Sequence, residues 1–304
     1  MKKYFIIFLI YIFQAAAWAF PPHAVTYETP GGRLGDQLIA YMHAKWISYA
    51  YGIPLIYKPF CYSRDLVLDD AEELCEATHA RNYKHTLKIE NLHTIEENIL
   101  PNVLFITQYF PESDYELQMA KWPIFPINWK DPQFLALLRT LIYPKTAVPY
   151  TELPLDRVTV AAHVRRGGGF DDPAQYHHWP LKFPPDSFYI TEIRKIYELI
   201  KQPLFVHIFT DDPTPSALAE SYASALTDID VVFDYRSEGN SYKANVLTDL
   251  FDMMRYNCLI RPESNYSIVA ERLGDYRIVI HPTRCMIQGK QIVITESQAI
   301  QNGM

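Results

Sequence analysis

Apolar positions along the chain fall into two rhythms. Short continuous runs read as strands: Val25-Thr26-Tyr27-Glu28, Leu55-Ile56-Tyr57 and Val103-Leu104-Phe105-Ile106 in the first half. Between the first two, Leu38, Tyr41, Met42, Trp46 and Tyr49 recur near the helical period, and Gly52-Ile53-Pro54 stops the pattern. The spacing predicts a helix over Leu38–Tyr51, preceded by a glycine-rich turn over residues 30–37. Strand, glycine loop, helix, strand is a βαβ unit. A second helix is predicted over Pro132–Ile142, with Asp131 as its cap and Pro132 in its first turn.

The second half alternates more regularly. Strands are predicted at Val158–Val164, Leu204–Phe209, Val231–Phe233, Cys258–Ile260 and Arg277–Ile280. Helices are predicted at Asp186–Lys201, Ser216–Leu226, Ala244–Tyr256 and Ser267–Leu273. Alternation of this kind with short turns builds a doubly wound, mainly parallel sheet. Pro144-Lys145-Thr146-Ala147-Val148-Pro149 reads as a linker, so a domain boundary is expected at residue 150.

Length and composition fit this picture. A chain of 304 residues with 49 % hydrophobic content suffices for one large α/β domain or two ordinary ones. The net charge of -7, with no Lys/Arg-rich run, argues against a nucleic-acid binder. At the N-terminus, Met1-Lys2-Lys3, the apolar run Tyr4–Phe13 and the small residues Ala17 and Ala19 before Phe20 follow the pattern of a secretory signal. Residues 1–19 are therefore expected to be a cleaved signal peptide, with an uncleaved anchor as the alternative. Export, or entry into the secretory pathway, follows, with membrane contact only if the segment stays on. Four cysteines, Cys61, Cys75, Cys258 and Cys285, leave both free thiols and two disulfides open. None sits in a C-x-x-C pair, so no metal site is expected.

The candidate chemistry starts at the end of the strand Val158–Val164, where His163-Val164-Arg165-Arg166 runs into Gly167-Gly168-Gly169. Ligands of open α/β sheets bind beyond the carboxyl ends of the strands. Two guanidinium groups there suit an anionic ligand, phosphate above all. Gly32 and Gly35 permit a backbone loop to approach a ligand closely. Asp211 ends the next strand, where a carboxylate matches the paired donors of guanine, and capping of the following helix is the competing role. Ser264, Asn265 and Tyr266 form a turn before a helix and suit either ligand donation or capping.

Four segments resemble the motifs of the fucosyltransferase superfamily, in its order and roughly its spacing. Gly32-Arg33-Leu34-Gly35-Asp36-Gln37-Leu38 resembles the Gly-Arg-Leu-Gly-Asn-Gln-Leu signature of alpha-1,2-fucosyltransferases. His163-Val164-Arg165-Arg166 resembles the His-x-Arg-Arg signature shared with alpha-1,6- and protein O-fucosyltransferases, and Phe209-Thr210-Asp211-Asp212-Pro213 their strand-end Asp-Asp motif. Asp249–Ile260 followed by Ser264–Ala270 resembles the last motif. The resemblance implies a GT-B fold of two Rossmann-like lobes facing a cleft: residues 20–150 on the acceptor side, residues 151–304 binding a GDP-sugar. It implies an inverting, metal-independent transfer of fucose from GDP-fucose, with no other cofactor, to a hydroxyl of a glycan or glycoprotein acceptor.

On that reading Arg165 is the principal diphosphate contact. Gly32, Arg33, Gly35, Asp36, His163, Arg166, Asp211, Ser264, Asn265 and Tyr266 complete the donor site. Asp171 and Asp172 are the candidates for the base that takes the acceptor proton, with His177 and His178 as further options. Gly168 stands where the arginine motif carries Asp. That leaves two alternatives: a relative using a different GDP-sugar, or a non-catalytic one that binds glycan or sugar nucleotide.

Overall fold

The computed structural model describes residues 23–29, 31–74, 82–89, 93–97, 102–108, 112, 127–167 and 179–302. The expected signal segment, Cys75, Gly168, Asp171, Asp172, His177 and His178 lie outside the described residues. No described helix is long and apolar enough to cross a membrane.

The first half begins with β1 (His23–Tyr27), α1 (Leu34–Tyr51) and β2 (Ile56–Tyr57). It continues with α2 (Leu68–Ala71), β3 (Glu73–Leu74), β4 (His85–Ile89), α3 (His93–Glu97), β5 (Val103–Thr107) and α4 (Pro132–Leu141). Strands β1, β5 and β4 form a parallel sheet in the order β1-β5-β4. A parallel bridge from Val25 to Leu55 brings the β2–β3 pair alongside β1. Helix α1 starts four residues before its predicted boundary, and part of the expected glycine turn is helix. Asp36 causes this: its side chain accepts the Arg33 backbone N–H at 2.9 Å and closes a capping box. Gly52, at φ 64, ends the helix in the left-handed conformation. Asp131 caps α4 as expected, accepting from the N–H groups of Gln133 at 2.9 Å and Phe134 at 3.1 Å.

The second half comprises β6 (Val158–Val164), α5 (Asp186–Ile200), β7 (Leu204–Thr210), α6 (Pro215–Ala225) and β8 (Val231–Tyr235). It then runs through α7 (Val246–Met253), β9 (Cys258–Ile260), α8 (Asn265–Leu273), β10 (Ile278–Gln288) and β11 (Gln291–Gln301). The sheet order is β11-β10-β9-β6-β7-β8, parallel except for the β10–β11 hairpin. Strands β7 and β8 lie on one side of β6, β9 and β10 on the other. The winding direction therefore reverses between β6 and β9, and the crevice of a doubly wound sheet opens there. The short elements α2, β3 and α3, strand β4 and the outer β10–β11 hairpin are not predicted from the sequence. Strand β4 (His-Thr-Leu-Lys-Ile) is an edge strand whose only fully buried side chain is Ile89. The hairpin β10–β11 turns through Gly289 at φ 63, and its outer residues bury little apolar surface.

Strand β6 is covered on both faces. Val160, Ala162 and Val164 face a core shared with Phe188, Ile193 and Tyr222 of α5 and α6. Ala161 faces a second core that also holds Val25, Tyr27 and Leu38 from the first half and Leu250 and Ile268 from α7 and α8. One apolar layer thus joins the two sheets, with α1, α7 and α8 inside it. Arg139 of α4 reinforces the junction by donating to the C-terminal carbonyls of α8, Leu273 O at 2.7 Å and Gly274 O at 3.0 Å. Of the cysteines, Cys61, Cys258 and Cys285 are free thiols.

Gly35 is a point of close packing between the two halves. A Cβ there would lie 2.3 Å from the backbone nitrogen of Tyr266. Gly35→Ala is expected to lower unfolding free energy by about 1–3 kcal/mol, the range for overpacking against backbone, as measured by urea denaturation.

Candidate active site

Beyond the carboxyl ends of β9, β6 and β7, with the switch point between β9 and β6 at its base, lies a cavity of about 340 Å³. That is within the range of small-molecule sites. The start of α1 contributes Gly32 through Gln37, and the loop after β2 contributes Cys61 and Tyr62. His163 and Arg165 enter from the end of β6, and Phe209, Thr210 and Asp211 from the end of β7. Ser264, Asn265 and Tyr266 come from the start of α8. Lys182, the segment Ser241–Ala244, Val246 and Asp249 complete the wall. The fold therefore brings together Gly32, Arg33, Gly35, Asp36, His163, Arg165, Asp211, Ser264, Asn265 and Tyr266 from distant points in the sequence.

Arg165 is held from two sides. Its Nη1 donates to Ser264 Oγ at 3.1 Å, and its guanidinium lies 5.3 Å from the centre of the Phe183 ring. The N-termini of α1 and α8 converge beside it. The positive dipole ends of the two helices favour negative charge. Between them, Asn265 Nδ2 donates to Asp36 Oδ1 at 2.6 Å, so these two predicted ligand residues bond each other across the junction. Tyr266 is likewise anchored, its hydroxyl donating to Val246 O at 2.6 Å.

Two expectations change. Arg166 does not line the cavity: its guanidinium pairs with Asp186 and approaches Asp212 at 3.6 Å. It turns away because successive side chains of an extended segment point to opposite faces. Asp211 does line the cavity, but its carboxylate serves the arginine turn. Oδ1 accepts the Arg166 N–H at 2.6 Å and Oδ2 accepts the Gly167 N–H at 3.1 Å. Burial nevertheless raises the Asp211 pKa above the ordinary carboxylate value. Its geometry is that of a clamp on the Arg165–Gly167 turn rather than a free acceptor for a base. Helix capping, the competing role at this strand end, is not taken up by either aspartate: Thr214 is the N-cap of α6, and Asp212 accepts its N–H at 2.7 Å in the turn before the helix.

His163 sits beside Tyr266, with ring centres 5.6 Å apart, and its Nδ1 is buried with no hydrogen-bond partner. Burial and the charges of Arg165 and Arg261 lower its pKa to about 3. The imidazole is therefore neutral at neutral pH and does not add to the cation count.

Sequence reasoning missed Tyr62, Lys182, Tyr242, Lys243 and Asp249 as cavity residues. Tyr62 donates to Lys243 O at 3.3 Å, which ties the Ser241–Ala244 segment to the first half. The Tyr242 ring lies 4.7 Å from the Arg33 guanidinium and 5.3 Å from Lys243 Nζ. No local pattern signals these loop residues; only the folded chain brings them to the crevice. Asp249 falls within the last quoted motif, yet nothing there marks it as cavity-lining. It pairs with Arg236, and burial pushes its carboxyl upward.

Among the described residues the cavity carries the cations Arg33, Arg165, Lys182 and Lys243. Its carboxylates, Asp36, Asp211 and Asp249, are each engaged by a partner on the wall or behind it. With two helix N-termini added, the crevice favours an anion although the chain as a whole is acidic. No group of three His, Cys, Asp or Glu among the described residues is placed to hold a metal ion.

No protein-family profile matches the sequence, and no curated protein matches it. Solved structures do. An arginine-to-lysine variant of Arabidopsis thaliana FUT1 in complex with GDP superposes with a TM-score of 0.54 at 12 % identity, over 85 % of this chain and 70 % of that one. POFUT1 in complex with GDP-fucose gives 0.47 at 12 % identity, over 86 % and 96 %. Fucosyltransferase NodZ from Bradyrhizobium gives 0.49 at 14 % identity, over 94 % and 100 %. The chain has a fucosyltransferase-like α/β fold of the GT-B type.

The low His163 pKa has a direct consequence. In an NMR titration its ring signals are expected to stay at their neutral positions between pH 8 and about pH 5, where an ordinary histidine has already moved. The folded pKa lies below the unfolded value, so the unfolded chain binds the extra proton. This residue's contribution to stability is therefore complete above the unfolded pKa and declines as pH falls from there toward about 3. A His163 signal titrating near pH 6.5 would contradict the burial.

Proposed function

We propose that the cavity binds a guanosine diphosphate sugar and that the chain is a glycosyltransferase, moving fucose from GDP-fucose to a hydroxyl of a glycan or glycoprotein acceptor. The observation that carries this is the placement of Arg165: at the switch point, hydrogen-bonded to Ser264, beside two converging helix N-termini. A diphosphate is the anion that such a site fits best, since a guanidinium offers several N–H donors to phosphate oxygens. The fold shared with FUT1, whose structure holds GDP, supports guanine as the base.

When the sugar–oxygen bond breaks, negative charge grows on the departing diphosphate. Fixed donors that meet this charge lower the barrier, because they interact more strongly with the transition state than with the bound donor. Arg165 and Lys182 supply the positive charge, and the α8 N-terminus supplies backbone donors. In this reading they do the work that a divalent ion does in metal-dependent transferases. The acceptor hydroxyl attacks the anomeric carbon from the face opposite the diphosphate and inverts it. Its proton needs a base, for which Asp171 and Asp172 are the sequence candidates.

Isothermal titration calorimetry with EDTA present tests the donor site. GDP is expected to bind, and Arg165→Ala to weaken it about tenfold or more, the scale of one charge-assisted hydrogen bond. A turnover panel of GDP-, UDP- and ADP-sugars then identifies the donor. Absence of GDP affinity, or activity abolished by EDTA, overturns the proposal.

A further inference from the structure

A buried ion network borders the cavity, and the proposed chemistry does not use it. Arg261, Glu263 and His281 are only 4 %, 3 % and 3 % exposed. Arg261 follows β9 directly, and its backbone N–H donates to Ile280 O at 2.9 Å. Its Nη1 donates to Glu263 Oε1 at 2.9 Å and to Pro262 O at 3.2 Å, and its Nε to Glu271 Oε2 at 2.5 Å. His281 Nδ1 stands 3.0 Å from the same Glu263 oxygen, and a carboxylate partner requires that nitrogen to carry the proton. Glu271 belongs to α8 and His281 to β10. The backbone of Glu263 is fixed as well, donating to Leu181 O at 2.9 Å, one residue before the cavity cation Lys182.

Three neighbouring elements thus grip a stretch of three residues. The next residue, Ser264, is the one that accepts from Arg165. Asn265 and Tyr266 then enter the cavity wall. Burying a guanidinium with two carboxylates gives little net stability over an apolar core of the same volume. It does impose geometry, because each member has fixed directions for its hydrogen bonds.

We propose that Glu263 and His281 are positioning residues: with Arg261 they lock the turn after β9 so that Ser264 holds Arg165 in line for the diphosphate. This rests on the reading that the cavity takes a nucleoside diphosphate. A pure field effect has the opposite sign. Removing the negative charge of Glu263 would strengthen an anion site, whereas loosening the turn weakens it.

The test is GDP affinity by calorimetry in the full chain, together with amide hydrogen exchange of the segment 261–267. Glu263→Gln is expected to weaken GDP by about fivefold to tenfold and to speed exchange at that turn. Added to Arg165→Lys, it is expected to cause no further loss, since both act through one contact. His281→Phe, which fills the space without the N–H, is expected to repeat both effects. His281→Asn, which keeps an N–H near the Nδ1 position, is expected to retain wild-type GDP affinity and exchange. The His281 pair also decides the matter if Glu263→Gln does not fold. Unchanged or tighter GDP binding in Glu263→Gln, additive losses in the double variant, or a His281→Phe indistinguishable from wild type overturns the proposal. Should wild type itself fail to bind GDP, the nucleotide reading falls, and exchange decides the latch alone: acceleration confined to 261–267 upholds it and unchanged exchange overturns it.

Discussion

The N-termini of α1 and α8 meet with no space for a Cβ at Gly35, and the cavity lies beside that contact. Two helix N-termini brought together repel, because each carries partial positive charge. Asp36 relieves the repulsion. It sits in the first turn of α1, accepts the Arg33 N–H on its own helix and accepts Asn265 Nδ2 from the other. A single carboxylate therefore neutralises both ends and fixes their spacing. Gly35 is required at the same point, since any Cβ would strike the α8 backbone.

Around this junction the acidic groups of the wall are used to hold structure, which leaves the basic groups to set the sign of the potential. Asp211 clamps the two N–H groups after β6, and Asp249 holds Arg236. An acidic protein can in this way present an electropositive crevice. The charge that matters to a ligand is the local one on low-dielectric walls, and the sum over the chain does not predict it.

Much of the fold was legible in the sequence because β6, β7, β9 and their helices are buried on two faces or one clean stripe. Apolar periodicity is strong where burial is strong. Strand β4, the outer half of β10 and β11 carry no such pattern for the same reason in reverse: they are edge or protruding segments, with little buried apolar surface, whereas the buried start of β10 is predicted. The site was partly legible. Arg165, Ser264 and the Gly32–Asp36 stretch stand at strand ends and helix starts, where local sequence marks the geometry. The partners of a charge are not so marked. Whether Asp211 faces a ligand or a backbone turn depends on the course of the chain at Arg166 and Gly167. That Arg166 turns to Asp186 depends on a helix twenty residues away. Tyr242 and Lys243 reach the cavity through a contact with Tyr62, which no local window contains.

The apolar layer that runs from Tyr27 and Leu38 through Ile268 to Ala161 has a mechanical consequence. Swinging the two sheets apart would expose this layer to water, at roughly 25 cal/mol for every Å² uncovered. Heating is therefore expected to melt both sheets in one cooperative step.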